Sequence, residues 1–147
     1  MARAIFAAVI ATLVAAGLIY LNGQMAALPP FPLLAEIQTF NARIGMPASD
    51  LAAWAAHAIL GILVYGVIFA LIQPILPGRG LGEGLVFGFI TWLAMMVVFA
   101  PLTGHELFMR DLDPVLIALS LVFNLVYGAA LGIAFAAAGG AGDAAEA

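Results

Sequence analysis

The chain has 147 residues, 66% of them hydrophobic and 8% charged, with a mean hydropathy of +1.20. A soluble domain carries roughly a quarter charged residues, so this chain cannot cover a water-facing surface and reads as an all-α integral membrane protein. The net charge of −4 sets eight acids against four scattered arginines, Arg3, Arg43, Arg79 and Arg110. No basic patch for nucleic acid exists, and the absence of Cys excludes disulfides, thiolate metal sites and cysteine nucleophiles.

Apolar runs of about 20 residues, the length that crosses a bilayer core of roughly 30 Å, recur four times in what reads as one membrane domain over residues 1–147. The first span runs from about Ala4 to Leu21 and ends at Asn22-Gly23. Its apolar stretch is long for a signal peptide, so an uncleaved anchor is expected. A proline-bracketed segment follows. Within residues 32–44, Leu33, Leu34, Ile37, Phe40 and Ile44 fall at helical spacing, with Glu36, Gln38, Asn41 and Arg43 elsewhere. That pattern predicts a short amphipathic helix in the headgroup region.

The second span covers about Leu51 to Ile72, with Ser49-Asp50 as its N-cap and Pro74 as its stop. The third covers about Gly84 to Ala100 and ends at Pro101. The fourth starts at Asp113-Pro114, an N-cap followed by proline in the first turn, and fades near Gly139-Gly140. An acidic Ala/Gly tail over residues 138–147 is expected to be flexible. Four spans put both termini on one side. Arg3, the α-amino group and Arg79 face Arg43 and Arg110 across the membrane, which favours cytoplasmic termini by a thin margin.

The tetrapeptide LVYG occurs twice, at Leu63–Gly66 and Leu125–Gly128. Counted from the caps Asp50 and Asp113, Tyr65 and Tyr127 lie at nearly equal depth, about 21–23 Å along their helices. The arrangement fits two parallel helical hairpins related by an axis along the membrane normal. Small and polar residues share faces around each copy: His57, Gly61, Tyr65 and Gly66 on the second span, and Asn124, Tyr127, Gly128 and Gly132 on the fourth. Gly84, Gly88 and Trp92 form the matching stripe on the third. Small residues and polar side chains are what join helices in lipid, so these positions predict the interior of a four-helix bundle.

Intramembrane ionisable residues call for a functional hypothesis, and His57 is the clear case. His105, Glu106 and several other acids fall on the same side of the membrane, so His57 and His105, with Glu106, form a candidate haem b or divalent-metal site. No HExxH, Ser-His-Asp set or phosphate-binding context supports an enzyme. The leading expectation is a non-enzymatic protein working through helix–helix contacts in the lipid bilayer, as a homo-oligomer or part of a larger membrane complex. The alternatives are a haem- or metal-binding protein, or a small permease or channel.

His57, Gly61, Tyr65-Gly66, Gly84, Gly88, Trp92, Pro101-Leu102, Gly104, Asn124, Tyr127-Gly128 and Gly132 together resemble small four-span bacterial inner-membrane proteins, the YagU-like and related families. The resemblance covers the second to fourth spans. It implies a fold and a location in a bacterial cytoplasmic membrane, and no settled activity. In that group the position of Asn124 is often a histidine. The asparagine here weakens a cofactor site built on paired helices.

Overall fold

The computed structural model describes residues 1–25 and 28–145, the side chains of residues 140–145 excepted. Every regular element among the described residues is helical. Four helices are long and apolar enough to cross a membrane: α1 (Ala2–Met25), α3 (Asp50–Ile75), α4 (Leu81–Thr103) and α5 (Pro114–Ala145). The short α2 (Leu33–Arg43) lies between α1 and α3. At about 1.5 Å per residue, α1, α3 and α4 span roughly 35–39 Å, enough for a bilayer core of roughly 30 Å.

Local chemistry explains where these helices start. The Ser49 hydroxyl accepts the Ala52 N–H at 3.3 Å and caps α3, and Asp113 Oδ1 accepts the Val115 N–H at 2.8 Å at the start of α5. α4 starts at Leu81, before the expected Gly84, and so takes Glu83 into its first turn.

The ends differ more. α4 also passes Pro101, where the sequence predicts a stop. Proline lacks an N–H and crowds the carbonyl four residues back. A π turn over Met95–Phe99 sits just before it, with the Ala100 N–H bonded to the Met95 carbonyl, five residues back. That wider turn accommodates the proline, and Gly104, at φ 99°, then caps the helix in the left-handed region. α5 continues past Gly139-Gly140 to Ala145, and residues 146 and 147 of the expected flexible tail lie outside the described residues.

α5 is the central helix and packs on both α1 and α4, while α3 packs on α1. The ring closes where Phe69 of α3 meets Phe87 of α4, their centroids 5.1 Å apart. Arg3 donates from Nε to the Phe135 carbonyl at 2.6 Å and stacks over the Phe135 ring, tying the start of α1 to the far part of α5. Both chain ends therefore share a side with the α3–α4 turn. At the opposite end α2 packs on the start of α3 and the last turn of α4, with Phe40 and Phe99 5.4 Å apart.

Side-chain size sorts the inner faces from the outer ones. Leu13, Leu63, Leu71, Val98 and Ile133 point outward and are exposed, as lipid-facing residues should be. α1 turns its alanines inward, Ala4, Ala7, Ala8, Ala11 and Ala15 all being buried. Gly66 sits over Ala8 and Ile5 of α1. α4 and α5 approach more closely still. A Cβ at Gly128 would stand 2.7 Å from the Gly88 Cα, and one at Gly132 would stand 2.8 Å from the Gly84 Cα. Only hydrogen fits there.

Gly128→Ala should therefore lower stability by about 2–3 kcal/mol, in the range for overpacking a filled interior. Gly17→Ala, with nothing within 4 Å of the added methyl, should be neutral or stabilise by up to ~1 kcal/mol. Unfolding of each variant in mild detergent measures the difference.

Candidate functional site

The bundle interior divides into two halves. Towards the chain ends it is aromatic, with Phe69, Phe87 and Phe135 packed edge to face and Tyr65 against Phe87. Towards α2 it carries a polar network between α4 and α5. The Trp92 indole donates to Ser120 Oγ at 3.0 Å, and Ser120 donates in turn to the Ile117 carbonyl at 2.7 Å. The Asn124 amide donates to the Ser120 carbonyl at 2.8 Å. The Thr91 hydroxyl lies 2.9 Å from the Gly88 carbonyl and 3.1 Å from Asn124 Oδ1, so its single proton serves one acceptor at a time.

The two tyrosines predicted at equal depth meet between these halves, with ring centroids 5.9 Å apart and planes at 62°. Their following glycines turn opposite ways, Gly66 onto α1 and Gly128 onto α4. Each therefore packs on the span before its own. The Tyr127 hydroxyl donates to the Gly61 carbonyl at 2.6 Å. That carbonyl is open to it because α3 carries a π turn over Ile59–Val64. There the Tyr65 N–H bonds Leu60, five residues back, rather than Gly61. The sequence shows no sign of this widening; π turns of this kind recur at functional sites.

Beside this contact lies a cavity of about 90 Å³ lined by residues of all four spans, among them Thr12, His57, Tyr65, Asn124 and Tyr127. Phe31 and Leu33, just before and at the start of α2, also line it. Thr12 is only 5% exposed and lies against the Tyr127 hydroxyl, and among the described residues neither its Oγ1 nor the buried His57 Nε2 has a hydrogen-bond partner within 3.5 Å. Thr12 was not a candidate from the sequence, since a lone threonine in an apolar span carries no pattern. Only its position against Gly61 of α3 reveals it.

His105 does not join His57. Its Nδ1 lies 2.6 Å from Asp111 Oδ2 and its Nε2 lies 3.0 Å from both oxygens of Glu36. With both ring nitrogens protonated, each donates to a carboxylate, and none is left to bind a metal or haem iron. Glu106 turns away to Arg110 at 3.7 Å. Among the described residues, no group of three or more His, Asp or Glu is placed to hold a metal ion. The expected set of His57, His105 and Glu106 is thus not brought together. The contact between Glu36 and His105 joins residues 69 positions apart, beyond the reach of motif spacing.

One further ionisable residue escaped the sequence reading. Glu83 is buried in the first turn of α4, where its carboxylate accepts from Gln73 Nε2 at 2.9 Å. A carboxylate in the first turn of a helix also favours the positive end of the helix dipole.

The Glu36–His105–Asp111 clasp ties α2 to the α4–α5 loop and has a defined pH window. The hydrogen bond with Asp111, aided by that with Glu36 and opposed by partial burial, raises the His105 pKa above its usual 6.5. The bond from His105 in turn holds Asp111 below its usual 3.8. A raised histidine stabilises most below pH 6.5 and loses that contribution as pH rises through the folded value. A depressed aspartate stabilises above 3.8 and loses it as pH falls through its folded value. The clasp is therefore strongest between about pH 4 and 6.5 and weakens on the alkaline side, where the ring keeps one N–H and can donate to a single carboxylate.

These features define a class: a four-span helical membrane protein with a glycine-faced seam, a polar interior and a clamped end helix. The sequence matches the family described as "Family of unknown function (DUF6789)" over residues 1–145, and the chain belongs to that family. The match takes in α1 and α2 as well as the second to fourth spans, and it is to this family rather than to the YagU-like group expected from the sequence. No curated protein and no solved structure matches the chain.

Hydrogen exchange of the α2 amides, corrected for intrinsic rates, should be faster at pH 9 than at pH 6. His105→Gln should remove that difference, and an unchanged difference would show that the clasp does not govern α2. Tyr127→Phe leaves the Gly61 carbonyl without its hydroxyl donor and should cost about 1–3 kcal/mol, read as a lower unfolding midpoint.

Proposed function

We propose that this chain is a non-enzymatic, multi-pass protein of a bacterial cytoplasmic membrane that works through helix–helix contacts, as a homo-oligomer or a subunit of a larger membrane complex. One observation carries the reading. The polar side chains of the α4–α5 interior, Thr91, Trp92, Ser120 and Asn124, each bond to the neighbouring span or to their own backbone. They serve as joints between helices, and glycine-mediated packing of α4 on α5 serves the same end. His105 is bracketed by carboxylates, Asp111 at Nδ1 and Glu36 at Nε2, so both ring nitrogens are taken up in tying α2 to the α4–α5 loop.

The YagU-like resemblance supports the bacterial inner-membrane placement. Arg3 and Arg79, on the side of the chain ends, support cytoplasmic termini. Haem or metal shared by His57 and His105 is not carried forward, because both nitrogens of His105 are engaged. A second reading, a ligand-binding protein or small permease, is favoured by the inner cavity of about 90 Å³ that residues of all four spans line.

Affinity purification in mild detergent, followed by native mass spectrometry, tests the leading reading. The expected result is a particle larger than the 15.2 kDa chain. Recovery solely as a partner-free monomer would overturn it.

A further inference from the structure

We infer that the groove between α2 and α3 is a lipid site, which takes one acyl chain of a phospholipid and sets its phosphate at Arg43. The inference does not depend on how many copies of the chain assemble. The lining of the groove, its depth and the charge at its head each point to that occupant.

The groove has a volume of about 430 Å³, within the ~300–1,000 Å³ of sites that hold small-molecule ligands. α2 reaches across from the start of α3 to the last turn of α4. Beneath it α3 offers only single methyl groups, at Ala52, Ala55 and Ala56, and the space is left between them. Ile37, Phe40 and Ile44 form the α2 wall. Among the described residues, Asn41 is the one polar side chain in the lining, and its amide donates to the Pro47 carbonyl at 3.2 Å. A wall of this kind suits hydrocarbon and offers no counter-charge to an ionic group.

The depth matches one leaflet. Residues from Ala52 to Val64 of α3 line the groove, a rise of about 18 Å. Half of a bilayer core is roughly 15 Å, so the groove runs from headgroup level at the start of α3 to near the midplane. A single acyl chain covers the same distance. Ile44, Met46, Ile59 and Val64 along its edges are exposed. The groove therefore opens sideways to lipid, and a chain enters it without crossing the bundle.

The charge stands at the headgroup end. Arg43 follows Phe40 by three residues and so shares its side of α2. Its guanidinium lies over Gly104, five residues and about 7 Å beyond Phe99 along α4, and Phe99 lines the groove. Among the described residues Arg43 has no carboxylate partner, whereas Arg110, the other arginine on this side, pairs with Glu106 at 3.7 Å. A guanidinium meets a phosphate with two parallel N–H donors. The chain in the groove and the phosphate at Arg43 thus belong to one molecule.

The test titrates the full chain in mild detergent with palmitoyl-oleoyl phosphatidylglycerol and counts bound lipids per chain by native mass spectrometry. One lipid should bind well ahead of the rest. Arg43→Gln, at an exposed position, should weaken that first binding about 5-fold. The same variant should leave unchanged the binding of dioleoylglycerol, which has no phosphate. Ala56→Leu, which fills the groove, should abolish the first site for both lipids, and an unfolding midpoint near that of the native chain confirms that the fold is kept. Leu63→Phe and Arg110→Gln, outside the groove, should bind as the native chain does. Lipids that add in statistical steps with no first site would overturn the proposal, as would full phosphatidylglycerol affinity in Arg43→Gln or an equal loss for dioleoylglycerol. A dimer that lipid displaces and that Ala56→Leu abolishes would overturn it too, since the groove would then belong to a second copy.

Discussion

Where α4 crosses α5, backbone meets backbone. Gly84 and Gly88 face Gly128 and Gly132 with no room for a methyl group on either side. In lipid no hydrophobic force draws two apolar helices together, so close packing and interhelical hydrogen bonds must do so. The seam supplies the first and sets the separation at which Trp92 reaches Ser120 and Thr91 reaches Asn124. A wider spacing would leave those groups unpaired in a medium that offers no water. The polar network is thus a consequence of the glycines.

α5 has a partner on each side, and the two contacts differ in kind. Towards α4 it presents glycines and hydrogen-bonding side chains. Towards α1 it meets a helix that turns a row of alanines inward. The inner cavity opens where Thr12 interrupts that row and the π turn of α3 passes opposite. One face of the central helix is closed by backbone contact; the other retains space.

Much of this was legible from residue order. Four apolar runs gave the spans, proline and polar caps gave most of their starts, and the spacing of Leu33, Ile37, Phe40 and Ile44 gave α2. Counting depth from Asp50 and Asp113 placed Tyr65 and Tyr127 level, and the rings do touch. The rest was hidden for identifiable reasons. In lipid the inner and outer faces of a helix do not differ in polarity, so the alanine stripe of α1 is written in size alone. The destination of His105 depends on a contact between the α4–α5 loop and Glu36 of α2, which no local pattern encodes. Glu83 was overlooked because a glycine-rich turn reads as loop up to Gly84, whereas the helix begins at Leu81.

The π turn of α3 also acts as a setting for rotation. It amounts to one residue more than a regular helix needs. Each residue turns an α-helix by about 100°, so that extra residue decides which way the whole segment from Tyr65 to Ile72 faces. Upstream of it, Ala53 is buried. Downstream of it Gly66 rests on α1, and Phe69 reaches Phe87 and Phe135. A straight helix could satisfy one of these sets and would swing the other towards lipid. The two halves of α3 are thus phased independently against the bundle, with Gly61 as the joint between them.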